Sequence, residues 1–360
     1  MPLTDRAEAI AQVARRLLDR HDLFGAELRS LLLASSGLCA EVIELGVRTT
    51  FGAIERDALL ELRASRPSGG PPALTVAVLA GNVWSAAVRP LLLPLLCGAP
   101  VLAKASSQDA ALPTVVAHAL TAVDARLGDA CGVLCFAHGD RALDAALLRH
   151  AETVSAYGSD EAIAEIAAAM PSTARLVAHG HGLGVIAVPA EALGSEAAGR
   201  ALASRAAIDV AAYDQRGCLS PQAVLVQSGG VVSARELARY LADALMALAR
   251  ELPRGKLPEG AAAEQLQWRG VAAALGELHA SADCAVSHEG TAALRSSPGY
   301  RNIAIYDCAD LAAMRDRLLP LGPHLKALGI AAVQRPHALC DLAPYVCEVG
   351  AMQSPPLATP

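Results

Sequence analysis

Aromatic residues make up only 3% of this 360-residue chain and charged residues only 18%. With so few rings, a core has to be built from Ala, Leu and Val, which dominate the 53% hydrophobic content. A basic stripe is missing too: the net charge is −6, which argues against nucleic acid as the main partner. No apolar run reaches the roughly 20 residues that a membrane span needs. The most apolar one, 90–103, is broken by three prolines and lies between Arg89 and Lys104. The N-terminus is charged from Asp5 onward and lacks a secretory apolar stretch. CxxC spacing is absent among the nine cysteines, and the closest pair, Cys131 and Cys135, has no ligand cluster beside it. An odd cysteine count without a secretory signal fits a reduced, cytoplasmic protein with neither disulfides nor a metal site.

What is present is periodicity, over a length that suffices for roughly two domains. Asp5 and Glu8 are spaced to cap a helix with the apolar stripe Ile10, Val13, Leu17 and Leu18. Residues 24–45 read as a second amphipathic stretch, and 65–72, rich in Pro and Gly, as a turn or linker. The run 74–79 then has strand length and ends at Gly81-Asn82. Further strands at 101–103, 133–136 and 153–156 alternate with helices over 83–96, 110–127, 141–150 and 161–170, which predicts a doubly wound parallel sheet. A second α/β region starts near His179, with strands at 184–188 and 223–227, helices at 194–209 and 233–252, and alternation to about Val333. The fold class is α/β, with expected boundaries of 1–180 for a first domain and its N-terminal helices, 181–345 for a second, and 346–360 for a tail that frays from Ser354.

Four segments carry candidate chemistry. In Asp214-Gln-Arg-Gly-Cys-Leu-Ser-Pro-Gln222, Cys218 follows a glycine in a tight loop, where a carbonyl can approach and backbone amides can meet a developing oxyanion. The alternative is a small buried hydrophobe, the common fate of a cysteine outside a disulfide. In Val78-Leu-Ala-Gly-Asn-Val-Trp84 a strand delivers Asn82 to the carboxyl edge of the sheet, or simply makes a turn. In Gly98-Ala-Pro-Val-Leu-Ala-Lys-Ala-Ser-Ser107, Lys104 stands just past a strand, where it reaches a ribose or phosphate or faces solvent. Ala156-Tyr-Gly-Ser-Asp160 opens a helix, whose amides face a pyrophosphate or are capped by Ser159 or Asp160. His179-Gly-His-Gly-Leu-Gly184 imitates a nucleotide loop, but it precedes a strand, whereas a dinucleotide fingerprint opens a helix.

Taken in order, these segments resemble the bacterial acyl-CoA reductase family of the LuxC type, a branch of the aldehyde dehydrogenase superfamily. The most specific match is Asp209-Val-Ala-Ala-Tyr-Asp-Gln-Arg-Gly-Cys-Leu-Ser-Pro-Gln222, similar to that family's active-site signature. Gly81-Asn82, Lys104-Ala-Ser-Ser107 and Gly158-Ser159 are similar to superfamily motifs in the same order, and Gly350-Ala-Met-Gln-Ser-Pro-Pro356 resembles the family's C-terminal region. The resemblance runs from about Leu74 to Pro356. It implies an aldehyde dehydrogenase-like fold, a dinucleotide-binding domain over 1–180 and a catalytic domain over 181–345. It implies that Cys218 is acylated, that Asn82 and the Cys218 amide hold the oxyanion, that Lys104 and Ser159 contact the dinucleotide, and that Gly158 lets it approach. The implied reaction reduces acyl-CoA (a fatty one being the expectation) or another activated acyl donor to an aldehyde. A homo-oligomer and an acyl-activating partner enzyme are the implied associations.

Two departures bear on that reaction. Hydrolytic relatives carry a glutamate base in Glu-Leu-Gly-Gly, where this chain has His179-Gly-His-Gly182. Losing the base favours exchange with a thiol over hydrolysis; His179 or His181 either moves a proton or plays a structural or solvent-facing part. Relatives that prefer NAD often carry a glutamate where this chain has Ser107, and a neutral serine spares the 2′-phosphate of NADP a repulsive neighbour. The expected hydride donor is therefore NADPH rather than NADH. The rival readings are an aldehyde-oxidising dehydrogenase of the same fold and a catalytically silent scaffold that binds acyl groups or partner enzymes.

Overall fold

Four helices precede the first strand: Leu3–Leu18, Leu23–Ser35, Ala40–Phe51 and Arg56–Ala64. The computed structural model describes every residue except 67, 68, 108, 138, 333, 334, 359 and 360. Ile10, Val13 and Leu17 are buried as their spacing demands. The helix starts earlier than Asp5, which stands inside its first turn and does not cap it. The amphipathic stretch 24–45 spans two helices, parted at Gly37, which takes φ 70°, a left-handed conformation that a helix cannot continue through. Of the expected linker 65–72, Pro67 and Ser68 lie outside the described residues.

The chain divides into two compact units, residues 1–181 with 356–358, and residues 182–355. The first holds a five-stranded sheet of β1 (Thr75–Val78), β2 (Val101–Ala105), β3 (Cys131–Cys135), β4 (Thr153–Tyr157) and β5 (Arg175–His179). All neighbours are parallel, in the order β3-β2-β1-β4-β5. The order reverses beside β1, so the carboxyl ends of β1 and β4 flank a switch point, the place where open α/β sheets bind ligands. Gly81-Asn82 follows one of these strands and Gly158-Ser159 the other. Strand β5 was not expected; it carries Arg175 at its start and His179 at its end, which hides it from a search for apolar runs.

The second unit holds seven strands: β6 (Leu183–Val188), β7 (Pro221–Gln227), β8 (Glu277–Ala280), β9 (Ala285–His288), β10 (Asn302–Cys308), β11 (Leu325–Ile330) and β12 (Tyr345–Glu348). Their order is β12-β11-β6-β7-β10-β9-β8, with only β8 antiparallel to its neighbour. Ile186, Val188, Val224 and Val226 pack on one face with Leu202 and Leu237 from the helices Glu196–Ala211 and Ala234–Leu248. Val185, Ala187 and Leu225 pack on the other with Trp268 and Tyr306. Covering both faces is why these strands read as unbroken apolar runs. The expected tail boundary at 345/346 falls inside β12, and Met352 beyond it is fully buried.

Gly184 sits where β6 meets the end of the Cys218 loop. A Cβ there would stand 2.5 Å from the Leu219 carbonyl oxygen and 2.6 Å from Cε of Met352. The backbone oxygen cannot swing aside as a side chain would. Gly184→Ala is therefore expected to destabilise the chain by roughly 1–3 kcal/mol through overpacking, seen as a lower thermal midpoint in scanning fluorimetry. An unchanged midpoint would show that the loop has slack at this point.

Candidate active site

Cys218 is reached through an unusual backbone. After the helix Glu196–Ala211, Tyr213, Asp214 and Gln215 take φ values of 51°, 51° and 61°. None is glycine, and each left-handed residue costs on the order of 1–2 kcal/mol. The compensation is polar and buried. Gln215 donates from Nε2 to the carbonyls of Pro221 (2.7 Å) and Asn302 (2.9 Å), while its Oε1 accepts from the Asn302 amide at 2.9 Å. Asp214 Oδ1 takes Arg301 Nη2 at 2.8 Å, and Oδ2 takes the Gly255 amide at 2.9 Å. Arg301, like Asp214 only 1% exposed, spends its remaining donors on the carbonyls of Leu252 (2.7 Å) and Pro253 (3.1 Å). Tyr300 and Arg301 are themselves left-handed, at 51° and 67°, and the Tyr300 amide donates to the Asp214 carbonyl at 2.9 Å.

The short turn 217–220 rests on this frame. The Ser220 amide donates to the Gly217 carbonyl at 3.0 Å, and the Gly217 amide to the Ser220 hydroxyl at 3.2 Å. Cys218 is exposed on that turn. The nine cysteines separate by burial: burial pushes the Cys131 and Cys347 thiols up to about 11 and raises those of Cys284 and Cys308. Cys97 and Cys135 are exposed as well, but they are the last residues of a helix and of β3. Cys218 alone of the exposed three stands in a loop between elements.

A second polar contact ties the C-terminal segment to the same helix. The buried Asp209 carboxylate accepts from the amides of Gly350 (2.5 Å) and Met352 (2.9 Å). Burial outweighs those two bonds and pushes its pKa up from 3.8 to about 7. Met352, so anchored, reaches the underside of Gly184 and Gly329.

In the first unit, Asn82 lies exposed in the bend after β1. Lys104 differs from expectation, being inside β2 and 9% exposed. Its Nζ lies 2.6 Å from Asp144 Oδ1, an aspartate on the helix Arg141–Leu148, and 4.2 Å from the centre of the Phe136 ring. Ser107, three residues on, is exposed in a turn. Ser159 caps the helix Asp160–Ala169, its oxygen accepting from the Ala162 amide at 3.2 Å, and Asp160 and Glu161 occupy the first turn. Those carboxylates weaken the pull of the helix N-terminus on a pyrophosphate. A Cβ on Gly158 would press on that of Ala162 at 3.1 Å, so local packing alone favours glycine there. His179 stacks on Tyr157 with ring centres 4.2 Å apart, and His181 is exposed. The glycine-rich 179–184 follows β5 and enters β6, so it opens a strand rather than a helix. Asp160 comes close to it: a Cβ on Gly180 would meet Oδ1 at 2.7 Å.

Among the described residues no group of three or more His, Cys, Asp or Glu is placed to hold a metal, and no helix is long and apolar enough to cross a membrane. At the carboxyl edge of β2 and β3 a ring, an ammonium and a carboxylate meet in Phe136, Lys104 and Asp144.

The family model described as Acyl-CoA reductase (LuxC) matches residues 59–358. The chain belongs to that family. No curated protein matches it. Among solved structures, an NAD-dependent benzaldehyde dehydrogenase from Corynebacterium glutamicum is similar at TM-score 0.75 and 14% identity, over 97% of this chain and 82% of that one. An oxidoreductase from Marinobacter aquaeolei gives 0.77 at 12% identity, over 97% and 79%. An NAD-dependent aldehyde dehydrogenase from Burkholderia multivorans gives 0.67 at 16%, over 99% and 77%. The fold is thus that of the aldehyde dehydrogenases, and the LuxC family makes the chain an oxidoreductase of aldehyde chemistry.

Two outcomes follow from the geometry. Asp214→Asn leaves Arg301 buried against a neutral group and should cost roughly 3–5 kcal/mol in urea unfolding; a loss under about 1 kcal/mol would mean that the pair is not what holds the loop. For Asp209, the raised pKa means the folded chain binds a proton that the unfolded chain has released. Its contribution is fully present below pH 3.8 and fades as pH climbs through about 7. Proton-linked stability across that window should flatten in Asp209→Asn, and identical pH profiles for the two chains would refute the assignment.

Proposed function

We propose that the chain reduces an acyl-CoA, a fatty acyl-CoA by expectation, to an aldehyde through a Cys218 acyl thioester. The observation that carries this reading is the exposure of Cys218 on a turn held by a buried polar frame, in a chain of the LuxC family. The Cys218 thiolate attacks the thioester carbonyl, and the C–S bond to CoA breaks once the tetrahedral oxyanion collapses. The Cys218 backbone amide and Asn82 are assigned to that oxyanion. A reduced nicotinamide bound to residues 1–181 would supply hydride to the acyl group, with Lys104, Ser107, Gly158 and Ser159 as its assigned contacts. Release of aldehyde returns the thiolate. Ser107, exposed and neutral, admits the 2′-phosphate of NADPH. Residues 182–355 form the catalytic unit in this assignment, and an acyl-activating enzyme supplies the thioester to a self-associating reductase.

Asp160 beside Gly180 favours a second reading, in which a carboxylate near the 179–182 stretch activates water and the chain oxidises aldehydes to acids. Product analysis separates the two. Acyl-CoA-dependent NADPH oxidation across a chain-length series should yield aldehyde, and Cys218→Ala should lower turnover by roughly a thousandfold or more. Free acid formed from aldehyde and NAD(P)+ would establish the second reading, and a folded chain that consumes no NADPH with any acyl-CoA would defeat the first.

A further inference from the structure

Two arginines of the second unit keep buried donors that no acceptor of the chain meets. Arg269, on the helix Glu259–Leu275, donates from Nε to Oδ1 of Asn302 and from Nη1 to the Ser281 carbonyl, both at 2.9 Å. Its Nη2 is buried and unmet. Arg254, in the linker before that helix, has Nη2 3.5 Å from Asp283 Oδ1, while its Nε and Nη1 are buried and unmet. Gln265 stands one turn before Arg269 on the same helix face; it is 4% exposed, and its Nε2 is unmet as well. Among the described residues no other arginine has a buried guanidinium nitrogen left over.

A buried donor left unmet forfeits the bond it had with water, and a charged one forfeits more. Arg301 shows how this chain avoids that cost, since Asp214 and two carbonyls take its guanidinium. The carboxylate that reaches Arg254 is Asp283, whose side chain keeps 51% of its surface. Two positive charges thus face one half-exposed negative one. Burial lowers the pKa of Arg269, and the like charge of Arg254 pushes the same way. An added anion relieves the unmet donors and the repulsion together.

This corner lies on the sheet edge that carries Cys218. Asn302 opens β10, beside β7, and Ser281 and Asp283 precede β9. It is also bonded to the frame of the Cys218 turn. Asn302 exchanges bonds with Gln215, and Arg254 lies between Pro253, which accepts from Arg301, and Gly255, which donates to Asp214. We propose that Arg254 and Arg269, with Gln265, form a binding site for a phosphate-type oxyanion on the unit that carries Cys218. Planar guanidinium donors match phosphate oxygens. The phosphates of CoA and free phosphate are two sources of that chemistry. Naming CoA rests on the acyl-CoA reading; the anion site does not.

Isothermal titration of the full chain in phosphate-free buffer with inorganic phosphate, CoA, dephospho-CoA and pantetheine tests the site without turnover. A phosphate-bearing ligand should bind, and Arg254→Gln and Arg269→Gln should each weaken it about tenfold. Lys256→Gln, an exposed change in the same linker, should not. Losses for CoA and dephospho-CoA with none for pantetheine identify a CoA phosphate, and a loss for inorganic phosphate alone identifies the free ion. Equal binding by the parent chain and both arginine variants would overturn the proposal. So would a parent chain whose thermal midpoint is the same in phosphate, in CoA and in chloride of equal ionic strength; that measurement needs no variant to fold and would leave only water on these donors. A chain that binds phosphate here yet reduces no acyl-CoA keeps the site and fails the reductase reading, and a chain that reduces acyl-CoA with both arginine variants binding as the parent does keeps the reading and fails the site.

Discussion

The buried pair between Asp214 and Arg301 is the constraint on which the rest of the Cys218 loop depends. Removing two such charges from water costs several kcal/mol each, and their mutual attraction returns that only when every remaining donor and acceptor is met. Here they are met, by Gly255, Leu252 and Pro253. An apolar pair of similar volume would avoid the desolvation, yet it could not dictate direction. Arg301 fixes where the Asp214 side chain points, and Tyr300 fixes its carbonyl. Two left-handed segments, 213–215 and 299–301, are thereby locked against each other. The strain of several non-glycine residues at positive φ is stable only because the bonds leave the backbone no other way to run. The turn that carries Cys218 begins where this frame ends.

That frame was only half legible in the sequence. Gly217-Cys218 followed by Ser220-Pro221 reads as a tight turn, and the turn is there. The left-handed run before it is not legible, because positive φ is read from glycine and asparagine, and Tyr213, Asp214 and Gln215 offer neither. Their partners, Arg301 and Asn302, lie 87 residues away. Lys104 shows the same limit. A lone lysine after apolar residues reads as a surface group, whereas the pair with Asp144 lets it stay within β2. Strands β1, β2 and β4 have neighbours on both sides, and β3, at the other edge, was legible from its short apolar run alone. Strand β5, at the edge with Arg175 exposed, lacks that signature.

Scarcity of aromatics shows in how they are used. The core is aliphatic, with Ile186, Val188, Val224, Val226, Leu237 and Leu241 packed together on one face of the second sheet. Phe136, Tyr240, Trp268, Tyr300 and Tyr306 each lie against a Lys or Arg. Rings spent this way extend the reach of a cation along an apolar surface, worth roughly 0.5–2 kcal/mol each. Three of these cations, Lys104, Arg200 and Arg295, reach a carboxylate as well, on Asp144, Glu196 and Glu289.

The two units place their candidate residues at opposite ends of their strands. In residues 1–181 the motifs follow β1, β2 and β4, at the carboxyl edge, as the rule for open α/β sheets expects. In residues 182–355, Cys218 precedes β7, at the amino edge, where that rule would not look. The packing explains how such an edge can carry a reactive group. Gly184 at the start of β6 lets the Leu219 carbonyl and Met352 close in, and Asp209 holds Met352 there through two backbone amides. The helix Glu196–Ala211 thus anchors the segment beneath the turn through Asp209, and the residues just after it carry Asp214 into the ion pair that fixes the turn. A loop ahead of a strand is usually free to move; this one is held by Asp214 on Arg301 at its start and by Gln215 on the Pro221 carbonyl at its end. The spacing from Asp209 to Asp214 therefore belongs to the Cys218 motif as much as the residues around the thiol do.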